Sequence, residues 1–159
     1  MKSEIMHGKT SIFKCRKISP EESSLVKKTM EEIYFKPKKQ WMRSLPEIVE
    51  EGIRTKCYDA IAFFDDKGKI VAYLDYRIEC DQIHIGVCFT LPQYRRQNYM
   101  EHLFQIVMED KSIRRFYLTT YEGNEGMISC LEKLGFVIFD RKKDRIDNTD
   151  SLFFEYIRL

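Results

Sequence analysis

The stretch from Ala60 to Thr90 leaves this chain little freedom in how it folds. In AIAFFDDKGKIVAYLDYRI, two runs rich in Ile, Val, Tyr and Phe are joined by Asp65-Asp66-Lys67-Gly68, whose composition is that of a hairpin turn. Two antiparallel strands are expected there. Gln82 to Thr90 follows as a third strand, after Glu79-Cys80-Asp81.

The remaining elements are placed around these three strands. Ile12 to Arg16 reads as a first strand, and Ser19-Pro20-Glu21-Glu22 has the N-cap, first-turn proline and acidic residues of a helix start. That helix is expected to run to about Tyr34, with Leu25, Val26, Met30 and Ile33 on its apolar stripe, and Lys36-Pro37 ends it. A weaker helical stretch spans Trp41 to Ile53. After Pro92 to Gln97, a helix from about Asn98 to Asp110 turns Leu103, Phe104 and Val107 to the core. Phe116 to Thr119 is a short strand, Asn124 to Leu134 a helix capped by Asn124 and closed by Gly135, and Val137 to Arg141 and Leu152 to Arg158 are two more strands. The order βααβββαβαββ predicts an α+β domain with a mixed, mostly antiparallel central sheet flanked by helices. No repeat or linker interrupts the 159 residues, so one domain over residues 1–159 is expected.

Composition narrows the function classes. A hydrophobic fraction of 43% beside 33% charged residues is that of an ordinary folded protein. A net charge of +2 offers a polyanion no general footprint, which argues against nucleic acid as a partner. Cys15, Cys57, Cys80, Cys88 and Cys130 are odd in number and contain no CxxC pair, so they read as reduced thiols, and no metal is expected. The opening MKSEIMHGKTSIF lacks the apolar core of a signal peptide, and no apolar run suffices to cross a membrane. A cytoplasmic location follows as an expectation.

Two local sequences carry a resemblance. LPQYRRQNYMEHLF contains Arg95-Arg96-Gln97-Asn98-Tyr99-Met100, and NEGMISCLEKLGF holds Asn124, Glu132, Lys133, Gly135 and Phe136. With the element order, they resemble the GNAT superfamily of N-acyltransferases over nearly the whole chain, most strongly from Gln82 to Phe136. The first is similar to the family's [R/Q]-x-x-G-x-[G/A] coenzyme A signature, the second to its N-x-x-A-x-x-[LF]-Y-E-K-x-G-F ending. The resemblance implies acetyl-CoA as cosubstrate and an amine as acceptor. It also implies cofactor contacts from the strand end at Phe89, Thr90 and Leu91, from Arg95, Arg96, Gln97, Asn98, Tyr99, Met100 and Glu101, and from Asn124. A helix start suits a pyrophosphate, because its first N–H groups have no intrahelical acceptor and the helix dipole favours negative charge. The chain departs from the pattern at both glycine positions, Asn98 and Met100, and at Leu131, where many members have a tyrosine that protonates the leaving thiolate.

Acetyl transfer to an amine needs a neutral amine, a stabilised oxyanion and a leaving thiolate. Some members carry a carboxylate base 11 residues before the first motif residue, and that position is His84 here, which can accept a proton near neutral pH. His84 alternates with Ile83 and Ile85 and shares a sheet face with Gly86 and Cys88. Its bland reading is a hydrogen-bonded histidine on a half-buried strand. Tyr121 is a candidate acid in place of Leu131, with Tyr94, Tyr99 and water as alternatives. His102 reads as surface and His7 as part of a mobile N-terminus; Cys88 and Cys130 read as buried packing. Glu47, Glu50 and Glu51 can recognise a cationic acceptor or form an exposed helix face. The clusters Lys36 to Lys39 and Arg141 to Arg145 read as solvated loops. Trp41 and the LFFEYIRL strand can complete the core or form a homodimer interface. A catalytically degenerate CoA-binding or protein-interaction module is the alternative to an enzyme.

Overall fold

A computed structural model of the chain describes residues 3–7, 11–33 and 40–159, with the backbone alone for 3–7, 11–12 and 40–41. The strands are β1 (Ser3–His7), β2 (Ser11–Lys17), β3 (Asp59–Phe64), β4 (Ile70–Glu79), β5 (Gln82–Thr90), β6 (Arg115–Tyr121), β7 (Val137–Lys143) and β8 (Asp150–Ile157). The helices are α1 (Ser23–Ile33), α2 (Leu45–Arg54), α3 (Tyr99–Val107) and α4 (Glu125–Lys133). The strand order in the sheet is β1-β2-β3-β4-β5-β6-β8-β7, antiparallel throughout the described ladders except for the parallel β5–β6 pair. The fold is therefore the expected mixed, mostly antiparallel sheet with helices, with one strand more than the sequence suggested. That strand, β1, pairs Ser3 to His7 antiparallel with Cys15 to Ser11 and corrects the expected mobile N-terminus. Five residues are too few to show a period, so β1 is visible only through its pairing with β2. Tyr34, the Lys36 to Lys39 cluster and the side chains of His7 and Trp41 lie outside the described residues.

The described residues divide into two compact units. The first comprises Met1–Tyr76 and Val87–Leu103. Its hydrophobic cluster joins Val26 and Met30 of α1 and Val49 and Ile53 of α2 to Ala60, Ala62 and Phe64 of β3, Ile70 and Tyr73 of β4, and Phe89 of β5. Burial of these apolar side chains is the main force holding the unit together. The β3–β4 turn forms as expected: Asp65 Oδ1 accepts the Lys67 and Lys69 N–H groups, and Gly68 takes a φ of +80°, which favours glycine.

The entry to α1 is pinned by a bidentate pair, with Arg16 Nη1 and Nη2 each 2.8 Å from a Glu22 oxygen. The Ser19 N–H and hydroxyl also donate to Glu22 Oε1, and the Arg16 guanidinium lies 3.9 Å from the Phe64 ring centre. The Arg16 hydrogen bond, first among these partners, lowers the Glu22 carboxyl to about 2. A carboxyl lowered on folding stabilises above its ordinary range and loses that contribution as pH falls towards 2. With Arg16 partly exposed, Glu22→Gln is expected to cost about 1 kcal/mol at pH 7 and almost nothing near pH 2, readable by urea unfolding at both pH values.

The second unit comprises Arg77–Gly86 and Phe104–Leu159. Its buried side chains include Ile83 and Ile85 of β5, Phe116 and Leu118 of β6, Leu131 of α4, Phe136, and Leu152 and Phe154 of β8. Leu152 and Phe154 thus belong to the core, while Phe153 and Tyr156 of the same strand are half-buried. Arg158 donates to the carbonyls of Met108, Asp110 and Ile113, and so places a cation at the C-terminal end of α3, where it favours the helix dipole. Gly135, with φ +94°, closes α4 as expected, its N–H donated to Glu132 O. Asn124 occupies the N-cap position of α4 as expected, but its side chain makes no capping hydrogen bond; its Nδ2 donates back to Thr120 Oγ1 instead. β7 extends two residues past Arg141 to Lys143, so the basic cluster there is partly strand, with Arg141 paired to Asp150. All five cysteines are unbridged thiols, and Cys88 and Cys130 are half-buried rather than buried as expected.

Candidate functional site

In the first unit, β5 delivers the chain to a loop and then to α3. Leu91 N–H donates to Val71 O at 2.9 Å, so this group is held by the sheet and Leu91 drops out as a main-chain donor to a cofactor. Pro92–Tyr94 form one 3-10 turn, with Tyr94 N–H donating to Leu91 O. Arg95 follows in extended backbone, and its Nε donates to Thr90 O at 3.1 Å, bracing the loop on the end of β5. Arg96 and Asn98 both adopt the left-handed region, φ 63° and 65°. The first helical hydrogen bond recorded in α3 runs from His102 N–H to Asn98 O, so the N–H groups of Tyr99, Met100 and Glu101 lie upstream of it, at the positive end of the helix dipole.

These angles bear on the two missing glycines. Position 98 demands positive φ, and asparagine is among the non-glycine residues that tolerate it best. Met100 lies within α3, where helical angles require no glycine. Neither position therefore requires glycine for the backbone conformation it adopts. Asn98→Val is expected to destabilise the protein by about 1–2 kcal/mol, since a β-branched side chain cannot adopt this φ without strain, whereas Asn98→Gly is expected to leave stability within about 1 kcal/mol; thermal unfolding distinguishes them.

Aromatic packing anchors the same loop. The Tyr99 side chain is 1% exposed, which rules it out as a cofactor contact and leaves only its main chain. Its ring lies 5.9 Å from Phe13, 5.3 Å from Phe63 and 6.3 Å from Tyr94, and burial raises its hydroxyl to about 12. Phe13 and Phe63, more than 30 residues upstream, thus fix the loop, a role no local pattern revealed. Gln97 Nε2 reaches Gln93 O at 3.4 Å, and Arg95 and Arg96 are exposed.

The second unit carries His84, Tyr121 and Asn124. His84 is half-buried on β5, on the face opposite Ile83 and Ile85 as alternation requires. It is the register partner of Tyr117 on β6, and the two rings stack at 4.8 Å and 21°. Burial first, then the charge of Arg77, lowers the His84 pKa below 6.5, partly offset by Glu79. A neutral imidazole at pH 7 can accept a proton. On the same face, Arg115 donates to Glu155 at 2.8 Å and to Gln82 at 3.0 Å, and its guanidinium lies 4.5 Å from the Tyr117 ring centre. The sequence reading missed Tyr117, Arg115 and Glu155, because strand alternation gives the face but not the register.

Tyr121 ends β6 half-buried, its ring so close to Gly123 that a Cβ there would lie 3.2 Å from it, and its carbonyl accepts the Asn124 N–H. Leu131 is fully buried in α4, a core residue that offers no proton. On α2, Glu47 and Glu51 are exposed and Glu51 pairs with Arg54, while Glu50 is half-buried. Among the described residues no group of three His, Cys, Asp or Glu is placed to hold a metal ion, and no helix is long and apolar enough to cross a membrane.

The β-hairpin, the parallel β5–β6 pair and the loop into α3 are those of an acyltransferase fold, and the comparisons agree. The model of the acetyltransferase (GNAT) family matches residues 26–136. The chain belongs to the acetyltransferase (GNAT) family and is an acyltransferase. A GNAT-family acetyltransferase from Streptococcus pneumoniae is similar in structure, with a TM-score of 0.70 at 12% identity over 91% of this chain and 98% of that one. The ribosomal-protein-S5-alanine acetyltransferase of Vibrio fischeri gives 0.69 at 16% identity over 99% and 96%. A ribosomal L7/L12 alpha-N-protein acetyltransferase, solved in complex with coenzyme A, gives 0.70 at 14% identity over 98% of both chains. A comparison with the curated proteins found no match.

Proposed function

We propose that residues 1–159 act as one cytoplasmic, acetyl-CoA-dependent N-acetyltransferase domain that acetylates a primary amine of a small molecule or protein by direct attack in a ternary complex. The observation that carries this reading is the left-handed backbone at Asn98, where the family's signature has glycine, immediately before α3. Membership of the acetyltransferase (GNAT) family and the coenzyme A complex of one structural neighbour add to it.

Acetyl-CoA supplies an acetyl group already activated as a thioester. Main-chain N–H groups from Gln97 to Glu101 would hold its pyrophosphate, with Arg95 and Arg96 adding positive charge beside them. Those of Phe89 and Thr90 would polarise the thioester carbonyl, and Asn124 would add a polar contact. His84 Nδ1 or Nε2 would take the proton that the amine must lose, since its lowered pKa keeps it neutral at pH 7. Tyr121 is the phenol assigned to proton donation in place of Leu131; a thiol of ordinary pKa about 8.5 also leaves as thiolate without a donor. Two of the structural neighbours acetylate ribosomal proteins by name, which supports a protein amino group as acceptor.

A thermal-shift titration with acetyl-CoA, CoA and ADP tests the reading. At 100 times the dissociation constant, binding adds about 2.7 kcal/mol, which at this size raises Tm by roughly 5–10 °C. No shift at millimolar acetyl-CoA, or one equalled by ADP, would refute acetyl-CoA as the cosubstrate.

A further inference from the structure

We propose that Asp75 is a positioning residue for cofactor binding: by accepting the N–H of Val87, it sets the course of Cys88, Phe89 and Thr90, the segment of β5 read above as presenting main chain to acetyl-CoA. The inference rests on that reading of β5. In an antiparallel ladder a strand N–H ordinarily goes to a main-chain carbonyl. The Val87 N–H goes instead to the side chain of Asp75, 12 residues earlier on β4, at 2.8 Å. The other carboxylate oxygen accepts the Tyr73 hydroxyl, also at 2.8 Å, and the Tyr73 ring stacks on Phe89 at 5.0 Å and 18°. Four residues on, Leu91 N–H is held by Val71 O. The segment Cys88 to Thr90 is therefore pinned on both sides, once by a carboxylate and once by the sheet.

The choice of residue is itself informative. Asp75 is 1% exposed, and its two hydrogen-bond partners are a phenol and an amide, neither of them a cation. Burial, the largest influence, raises its carboxyl to about 6 against the opposing effect of those two bonds. An apolar side chain would avoid this burial but could not accept the Val87 N–H. As pH falls through about 6 the carboxylate gains a proton, and the charge-assisted bond to Val87 weakens. The other titratable groups around the pair are Tyr73, Tyr58 and Cys88. Burial holds the Tyr73 phenol well above its ordinary range, away from this window.

Asp75→Asn keeps an amide oxygen for Val87 and removes the charge. The test is calorimetric binding of acetyl-CoA to wild type and Asp75→Asn between about pH 5.5 and 7.5, across the interval where the carboxyl of wild type alone changes charge. The cofactor and His84 titrate alike in both proteins, so the difference between the two profiles reports on position 75. The expected result is a wild-type dissociation constant that weakens by about 3–10-fold more than that of Asp75→Asn on going to the lower pH, the worth of one charge-assisted hydrogen bond. Asp75→Ala is expected to raise the KM for acetyl-CoA by about tenfold or more and to lower kcat as well, since the main chain it positions also polarises the thioester carbonyl, while the acid limb of the rate profile set by His84 stays in place. Parallel pH profiles in wild type and Asp75→Asn would overturn the positioning role while leaving the acetyl-CoA reading intact. Failure of wild type to bind at any pH would overturn both.

Discussion

His84→Ala is expected to lower kcat/KM by about 10²–10⁴-fold, the usual worth of a general base. The imidazole is half-buried, stacked on Tyr117 and depressed below 6.5, so at pH 7 it is neutral and needs no deprotonation before it acts. The kcat/KM of wild type should fall as pH drops through that lowered pKa, and His84→Gln, which cannot titrate, should lose this acid limb together with the rate. The same shift has a stability consequence. Between the lowered pKa and 6.5 the unfolded chain binds the proton that the folded His84 refuses, so stability falls as pH falls through that interval. A pH–rate profile on an accepted amine reads the prediction directly. An unchanged rate and acid limb in His84→Ala would move the base elsewhere without touching family membership.

Asp75→Asn is expected to make the protein more stable above pH 6, by roughly 3 kcal/mol, at about 1.36 kcal/mol for each pKa unit. The carboxyl is raised from 3.8 to about 6. From 3.8 to 6 the folded state holds a proton that the unfolded state has released, so stability declines as pH rises through that window and stays lower above it. The asparagine variant has no such decline. Its advantage should be full at pH 7.5 and vanish near pH 4, with a Tm difference of roughly 6–12 °C at the higher pH. A variant less stable than wild type at pH 7.5 would mean that the hydrogen bonds from Tyr73 and Val87 outweigh the burial of charge. Stabilisation accompanied by altered cofactor binding is the expected pattern for a residue kept for function at a cost in stability.

The two residues differ in how far the sequence revealed them. His84 is legible in the sequence as a candidate because its distance from Arg95 matches a family position, and strand alternation gives its face. Its partners Tyr117, Arg115 and Glu155 were not found, since a one-residue slip in pairing would have placed other side chains beside it. In LDYRI, Asp75 reads as one polar residue of a strand. Nothing in the sequence states that Val87 would seek it. Tyr99 was read as a cofactor contact from its place in the motif, but it is Phe13 and Phe63 that turn its side chain into the core.

What the sequence alone determined is local. It established the β3–β4 hairpin, the span of β5, the helix that follows the motif, and the order of elements from β2 onward, because each depends on turn residues and apolar periodicity within a few positions. The left-handed backbone at Asn98 is compatible with the side chain found there. What only the tertiary structure decided is which distant groups meet: β1 on β2, His84 on Tyr117, Arg158 on the end of α3, and the Val87 N–H on Asp75. Those pairings are set by packing and by the need to satisfy every buried polar group, and both are properties of the whole chain rather than of any short window within it.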